Sequence, residues 1–277
     1  MCEFCTQHGE GKEWYLNVRN YSEELLHDPE RIRMIRNFYR EMIGHGQDSV
    51  SRMEKMHQRN PRLLDRIRNA YTAGMKSVHF GQVLPVEEVR RILTFCNTVV
   101  RLPCGCRWAA GREEKRACFG ISYGSGGWFE ELDMDYFGAP DVARFDYLDR
   151  EQAIEAISDL GGQGLVHSVW TFQTPFIGAI CNCDLKSCLA MRSTVGLGMP
   201  LMFRAEKIAV LAEDACIGCR ECMGRCQFDA IRFDDASGRA EIVSRNCFGC
   251  GACRSACPSD AIRLADRSAD PVASSLW

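Results

Sequence analysis

No stretch of this sequence is apolar for long enough to cross a bilayer. A spanning helix needs about 20 apolar residues, whereas the longest apolar run, at 195–203, is far shorter and is broken by Gly196, Gly198 and Pro200. A secretory signal is missing too: Met1 is followed by Cys2, Glu3, Phe4 and Cys5 and then by polar residues, not by an apolar core segment. Nor is there a surplus of positive charge. The 34 Lys and Arg are outnumbered by 37 Asp and Glu, and a net charge of −3 argues against bulk nucleic-acid binding. Gly120, Gly124, Gly126 and Gly127 lack the strand–GxGxxG–helix setting of a nucleotide site, and read as a turn or flexible lid.

What remains is a chain of 277 residues and ordinary globular composition, 46% hydrophobic and 26% charged, with one anomaly: 17 cysteines. An odd number, crowded at two- and three-residue spacings, fits a disulfide framework poorly. Thiols kept for metal or redox chemistry fit better and imply a cytoplasmic protein. Exposed thiolates and clusters oxidise readily, so an anaerobic host is expected as well.

Eight cysteines form two copies of one motif. Cys216-x2-Cys219-x2-Cys222-x3-Cys226 recurs 31 residues later as Cys247-x2-Cys250-x2-Cys253-x3-Cys257-Pro258, and segments 216–234 and 247–265 agree at nine of 19 positions. Three thiolates on one tight loop take three irons of a cubane, while the fourth cysteine turns to the other cluster. One [4Fe–4S] cluster is therefore expected on Cys216, Cys219, Cys222 and Cys257, and a second on Cys247, Cys250, Cys253 and Cys226. Gly218 and Gly249 would leave room for backbone N–H groups near the cluster sulfurs. The repeat resembles the bacterial two-[4Fe–4S] ferredoxins over about 60 residues, which implies single-electron transfer. It departs from them at Gln227, where that family has Pro, as at Pro258; this would loosen the turn beside the second cluster without removing a ligand. Two structural zinc sites, the competing reading, would need four-thiolate spacing without the interleaved fourth cysteine.

A second group lies upstream: Cys104-Gly-Cys106-Arg107, Cys118, Cys181-Asn-Cys183 and Cys188. Residues i and i+2 of an extended segment point to one side, so each CxC pair offers two thiolates to one metal. Arg107, Lys186 and Arg192 would favour thiolate over thiol. The six cysteines could carry a third iron–sulfur cluster, a zinc ion, or a dithiol redox or substrate site, or could be unrelated buried thiols. Thiolate ligation does not separate the first two. Cys2-x2-Cys5-x2-His8 would complete the upstream cluster, hold a separate metal, or belong to a mobile N-terminus. Cys96 falls on an apolar helix face and reads as core; His167, in a predicted strand, reads as a satisfied core histidine.

The expected fold is α+β in four parts: an N-terminal helical region (1–78), a mixed α/β cysteine-rich domain (79–205), a two-cluster ferredoxin domain (206–265) and a mobile polar tail (266–277). In the first, Asp28-Pro29 reads as N-cap and N1 before a periodic run of Ile32, Ile35, Phe38 and Met42, and a second helix follows Pro61 through Leu63, Leu64, Ile67 and Tyr71. Residues 28–68 hold ten Lys and Arg against six Asp and Glu, a solvated face or a docking patch for an acidic partner. In the second, Pro85 opens a helix, 99–102 is a strand, and Asp149 and Gln152 form a capping box before a helix that Gly161-Gly162 stops. Segments 165–170 and 176–180 read as buried strands. Each CxC pair lies just past a strand, so parallel or adjacent strands would bring both to one sheet edge, with Cys118 and Cys188 close enough to join them.

Residues 75–265 also resemble a family of 4Fe–4S proteins of anaerobes with a ferredoxin-like C-terminus. The likeness is carried by His79-Phe80-Gly81-Gln82-Val83, Cys104-x-Cys106-Arg107, Cys118-Phe119-Gly120, Gly164-Leu165-Val166-His167 and Ile180-Cys181-Asn182-Cys183. It implies a metal site in this region and names no substrate. Related sequences carry further cysteines after Cys-Asn-Cys, where this chain has Asp184. The reading that follows is an iron–sulfur electron-transfer protein, a relay subunit or partner of a larger anaerobic oxidoreductase, meeting a redox partner protein. One rival is an enzyme whose open cluster or dithiol acts on a small substrate; another is a redox sensor or metallochaperone.

Overall fold

The computed structural model describes residues 13–276, the side chains of Leu63 and Arg66 excepted. Cys2, Cys5 and His8 therefore lie outside the described residues. The chain is α+β: helices occupy most of its first part, seven strands between 81 and 203 form one sheet, and two two-stranded sheets follow. Among the described residues no helix is long and apolar enough to cross a membrane.

Asp28 accepts hydrogen bonds from the backbone N–H groups of Glu30 and Arg31 and so caps the Pro29–Arg36 helix. Asn60 caps the Pro61–Val78 helix in the same way. Both helices begin with Pro, whose missing N–H would have had no partner there. Between them, before the His45–Arg59 helix, the backbone widens into a π-helical segment, Phe38–Gly44. Ile35, Tyr39 and Ile43 point inward, whereas Ile67, expected on an apolar face, is 44% exposed.

The strands are β1 (Gly81–Val83), β2 (Thr98–Leu102), β3 (Cys118–Ser122), β4 (Asp146–Leu148), β5 (Val166–Thr171), β6 (Ile177–Cys183) and β7 (Met202–Phe203). They lie in the order β4-β2-β3-β6-β5-β1-β7, and every neighbouring pair is antiparallel except β1 with β7. Alternate side chains go to opposite faces. Val99, Phe119, Ile121, Val169 and Ile180 join Val89 and Ile92 of the Val86–Leu93 helix and Ile157 of the Arg150–Gly162 helix. Val100, Leu102, Trp170, Ala179 and Cys183 join Tyr39, Trp128 and Phe137 on the other face. Each aliphatic side chain so buried contributes about 1.5–3 kcal/mol. The capping box of Asp149 and Gln152 is formed in both directions, and Cys96 is buried in the first of these cores.

The two strand ends meet as parallel rather than adjacent strands, while the expected mobile tail and the glycine loop at Gly120 are corrected. Strands β2 and β6 are not adjacent, because β3 lies between them. Its first residue, Cys118, pairs with Leu102 on one side and Cys181 on the other. Since β3 is antiparallel to both, β2 and β6 run parallel, and their ends meet the start of β3 at one edge. The last segment is packed down: Arg267 is buried, pairs with Glu206 and donates to the carbonyls of Ala273 and Leu276. Gly120 is also not in a loop but inside β3, where a Cβ would collide with the Phe129 ring.

The C-terminal part consists of β8 (Lys207–Leu211) paired antiparallel with β11 (Ile262–Asp266), and β9 (Ile231–Asp234) with β10 (Arg239–Ile242).

Candidate metal centres

The eight C-terminal cysteines line two small cavities. One, of about 10 Å³, is lined by Cys216, Cys219, Cys222 and Cys257. The other, of about 20 Å³, is lined by Cys226, Cys247, Cys250 and Cys253. Each loop of three is thus completed by the fourth cysteine of the other repeat, the interleaving a pair of cubanes requires. The two halves match in detail: Ala230 donates its backbone N–H to Cys226 Sγ and Ala261 to Cys257 Sγ, both at 3.3 Å. Such N–H···S bonds stabilise a thiolate and tune whatever it ligates. Gly218 and Gly249 have φ of +68° and +73°, and a Cβ would collide with the carbonyls of Gly238 and Lys207. Their role is therefore to let the chain turn tightly against its neighbours. The first cage reaches the surface, with Cys219 exposed and Ile217 68% exposed. The second is deeper, and burial pushes the Cys250 thiol up to about 12. A coordinated metal removes that cost, since it holds a ligating thiol deprotonated.

The six upstream cysteines come together as well. Cys104 is the extended cap of the Gly105–Gly111 helix and Cys106 sits in its first turn, so this CxC is not the extended pair expected. Cys104 still reaches the same centre because the cap residue is not helical. Cys181 and Cys183 lie inside the last turn of pleat of β6, on one face, and Cys188 caps the short Leu189–Met191 helix. Each thiol interacts with two others. The order Cys104, Cys106, Cys188, Cys183, Cys181, Cys118 closes back on Cys104. Cys118 and Cys181, cross-strand partners, bring their sulfurs to 3.8 Å.

Within this ring Cys104 is held well below the usual thiol range by the thiols of Cys106 and Cys118, with Arg107 adding to the effect. Cys188 is held low by Cys106 and Cys183. The other four thiols are pushed up, as donors to these and to one another in a buried site. Arg107 is buried, bonding Asp184 Oδ2 through Nε at 3.1 Å and the Asn182 carbonyl at 3.3 Å. Arg192 is engaged by Glu54 at 2.6 Å, and Lys186 is exposed, so of the three expected cations Arg107 lies nearest in role to that foreseen. His167 is a satisfied core residue: its Nδ1 meets Asn182 Oδ1 at 2.6 Å while Asn182 Nδ2 donates to the Ala117 carbonyl. It thereby fixes the middle of Cys-Asn-Cys against the residue before β3. Tyr39, which nothing in the sequence singled out, is buried against Gly105 beside the ring.

Among the described residues no three or more of His, Cys, Asp and Glu converge as a single metal ion requires.

Residues 209–264 match the 4Fe-4S dicluster domain. All eight C-terminal cysteines lie within this match. Neither the search of curated proteins nor that of solved structures returned a match to the chain.

The dicluster domain is tied to the upstream ring at the position where it departs from the ferredoxin pattern. Gln227 Nε2 donates to the Gly164 carbonyl at 2.6 Å and lies 3.5 Å from the Cys183 carbonyl, while Leu185 N–H donates to Gln227 Oε1 at 2.6 Å. The expected loosening of this turn is thus corrected: the amide fastens it. Cys226 of the deeper cage and Cys183 of the ring are brought near one another by a single side chain. Arg204 donates to the Cys247 carbonyl at 2.7 Å and Arg254 pairs with Glu87 at 2.5 Å, so the dicluster domain is also tied to the segment after β7 and to the Val86–Leu93 helix.

Proposed function

We propose that the chain is an iron–sulfur electron carrier with three redox centres, serving a larger oxidoreductase through a redox partner protein. Cys216, Cys219, Cys222 and Cys257 would hold one [4Fe–4S] cluster, and Cys226, Cys247, Cys250 and Cys253 the second. A third iron–sulfur centre would lie on Cys104, Cys106, Cys118, Cys181, Cys183 and Cys188. Each such cluster, when bound, stores and releases one electron.

The observation that carries this reading is the closed ring of six thiols, assembled from two strands and the N-terminal ends of two helices and fastened by Gln227 to the dicluster domain. Six free thiols in contact would invite disulfide formation, which a bound metal prevents. The residues around the centres divide the remaining work. Ile217 and Cys219 offer an exposed edge where a partner protein can approach. Phe228 and Phe248, stacked at 4.3 Å, pack among the residues that line the deeper cage. Gln227 fixes the spacing between that cage and the ring. Residues 79–205 would then act as the cysteine-rich domain and 206–265 as the dicluster unit. Reductive titration of the anaerobic protein tests this: about three electrons per chain are expected, one per cluster, and about two would leave only the dicluster domain active. NADH should not replace the chemical reductant, since the chain carries no nucleotide or flavin motif.

A further inference from the structure

The ring of thiols forms one wall of a cavity of about 270 Å³, more than ten times either dicluster cage measured in the same way. If cages of about 10 and 20 Å³ each suffice for a cubane, a third cubane would leave most of this space unfilled. For scale, a cavity of about 150 Å³ lined by apolar side chains takes up benzene. The facing wall is aromatic: Phe38, Tyr39, Trp128, Trp170 and Phe172 line it, with Met42 at the outer part. Two segments of π-helix, Phe38–Gly44 and Arg192–Gly196, contribute to the lining. Such widened turns sacrifice regular helical bonding and recur at functional sites.

Apart from the thiols, the polar groups of the inner lining are few. Ser193 lines the cavity, is fully buried, and its hydroxyl has no hydrogen-bond partner among the described residues. An orphan of this kind calls for a partner from outside the chain. His79, also in the lining, meets the Thr171 carbonyl through Nδ1 at 2.5 Å, which makes Nδ1 the donor and leaves Nε2 as an acceptor. Its ring stacks on Trp170, with centroids 4.9 Å apart. Burial pushes the His79 pKa down to about 4, so the imidazole is neutral near pH 7. The cation in the lining, Arg107, is taken by Asp184 and Asn182, and Glu41 and His45 belong to the exposed outer part. A charged ligand would lose its hydration without a counter-charge, whereas a flat neutral one would exchange water for aromatic contact.

We infer that this cavity binds a small neutral aromatic compound of one ring, held between the aromatic wall and the six thiols, with its polar substituent in reach of Ser193 or His79. The inference rests on the preceding reading only in taking the thiols as a redox centre.

The test uses the full chain, purified anaerobically with its iron counted first, and p-cresol as probe against 4-methylbenzoate, which has a similar ring and a negative charge. Calorimetry should show saturable one-to-one binding of p-cresol, quenching of tryptophan fluorescence, and at least about tenfold weaker binding of the anion. Met42→Trp, which fills the outer part of the cavity, should weaken p-cresol about tenfold with iron content unchanged, and Ser193→Ala about threefold or more. Absence of saturable binding, or equal binding of the anion, would overturn the inference. Should Met42→Trp lose iron, the comparison of the two probes on the unaltered chain decides. Iron at the full count without p-cresol binding rejects the cavity alone. Normal binding with iron for only two clusters supports the cavity and rejects the third cluster.

Discussion

The two dicluster cages and the upstream ring are built from the same side chain in opposite ways. In the dicluster domain three cysteines of each cage come from one short loop and the fourth from a repeat 31 residues away, and the space enclosed is about 10 or 20 Å³. The ring draws on β3, on the end of β6, and on the caps of two helices, and borders about 270 Å³. A cage made by one loop has its size set by local turns such as those at Gly218 and Gly249. One made by strand ends has its size set by the sheet and by whatever packs across it, here Tyr39 and its aromatic neighbours. The first design suits a carrier that only holds electrons; the second would leave room beside a bound metal for something else.

The comparison can be broken at its strongest point by Cys226→Ser. If the cages interleave, this change should abolish or shift the paramagnetic resonance of the cluster on Cys247, Cys250 and Cys253, and leave that on Cys216, Cys219 and Cys222 largely intact. Loss of only the latter signal would mean that each loop keeps its own fourth cysteine. A smaller effect sharpens the link between the two designs. Pro258 occupies the position in the second repeat that Gln227 occupies in the first, so the backbone there accepts Pro and Gln227→Pro removes chiefly the amide contacts. The variant should keep its iron and lose about 1–3 kcal/mol of stability in anaerobic denaturant unfolding, the net contribution of two hydrogen bonds, from the Leu185 N–H and to the Gly164 carbonyl. Its ring should also exchange electrons with the dicluster domain more slowly. A variant as stable as the parent, with unchanged internal transfer, would show that the contact is incidental.

How much was legible in the sequence follows the same division. The Asp149–Gln152 capping box, the Asp28-Pro29 start, the strands around Val100 and Val169, and the interleaved cage cysteines all depend on neighbours a few residues away or on an exact repeat. Spacing reports such features directly. The ring was legible only as a list of members. That Cys104 caps a helix follows from Gly105 and its successors turning into helix, where an extended CxC segment was expected just past the strand that ends at Pro103. That Cys118 opens a strand between β2 and β6 depends on pairings with residues up to 63 positions away. No local pattern reports that, nor the approach of Tyr39 from the π-helical segment, nor the use to which Gln227 is put. Gln227 did carry a signal, its departure from Pro, but the side chain's partners lie in a different part of the fold.

Iron and acid-labile sulfide counted on the full-length, anaerobically purified chain test the third centre most directly. About 12 irons per chain are expected, four for each of three cubanes, falling to about 8 when Cys118 and Cys181 are both replaced by Ser. About 8 irons in the unaltered chain, unchanged by that double replacement, would contradict a metal on the ring and leave its six cysteines as thiols.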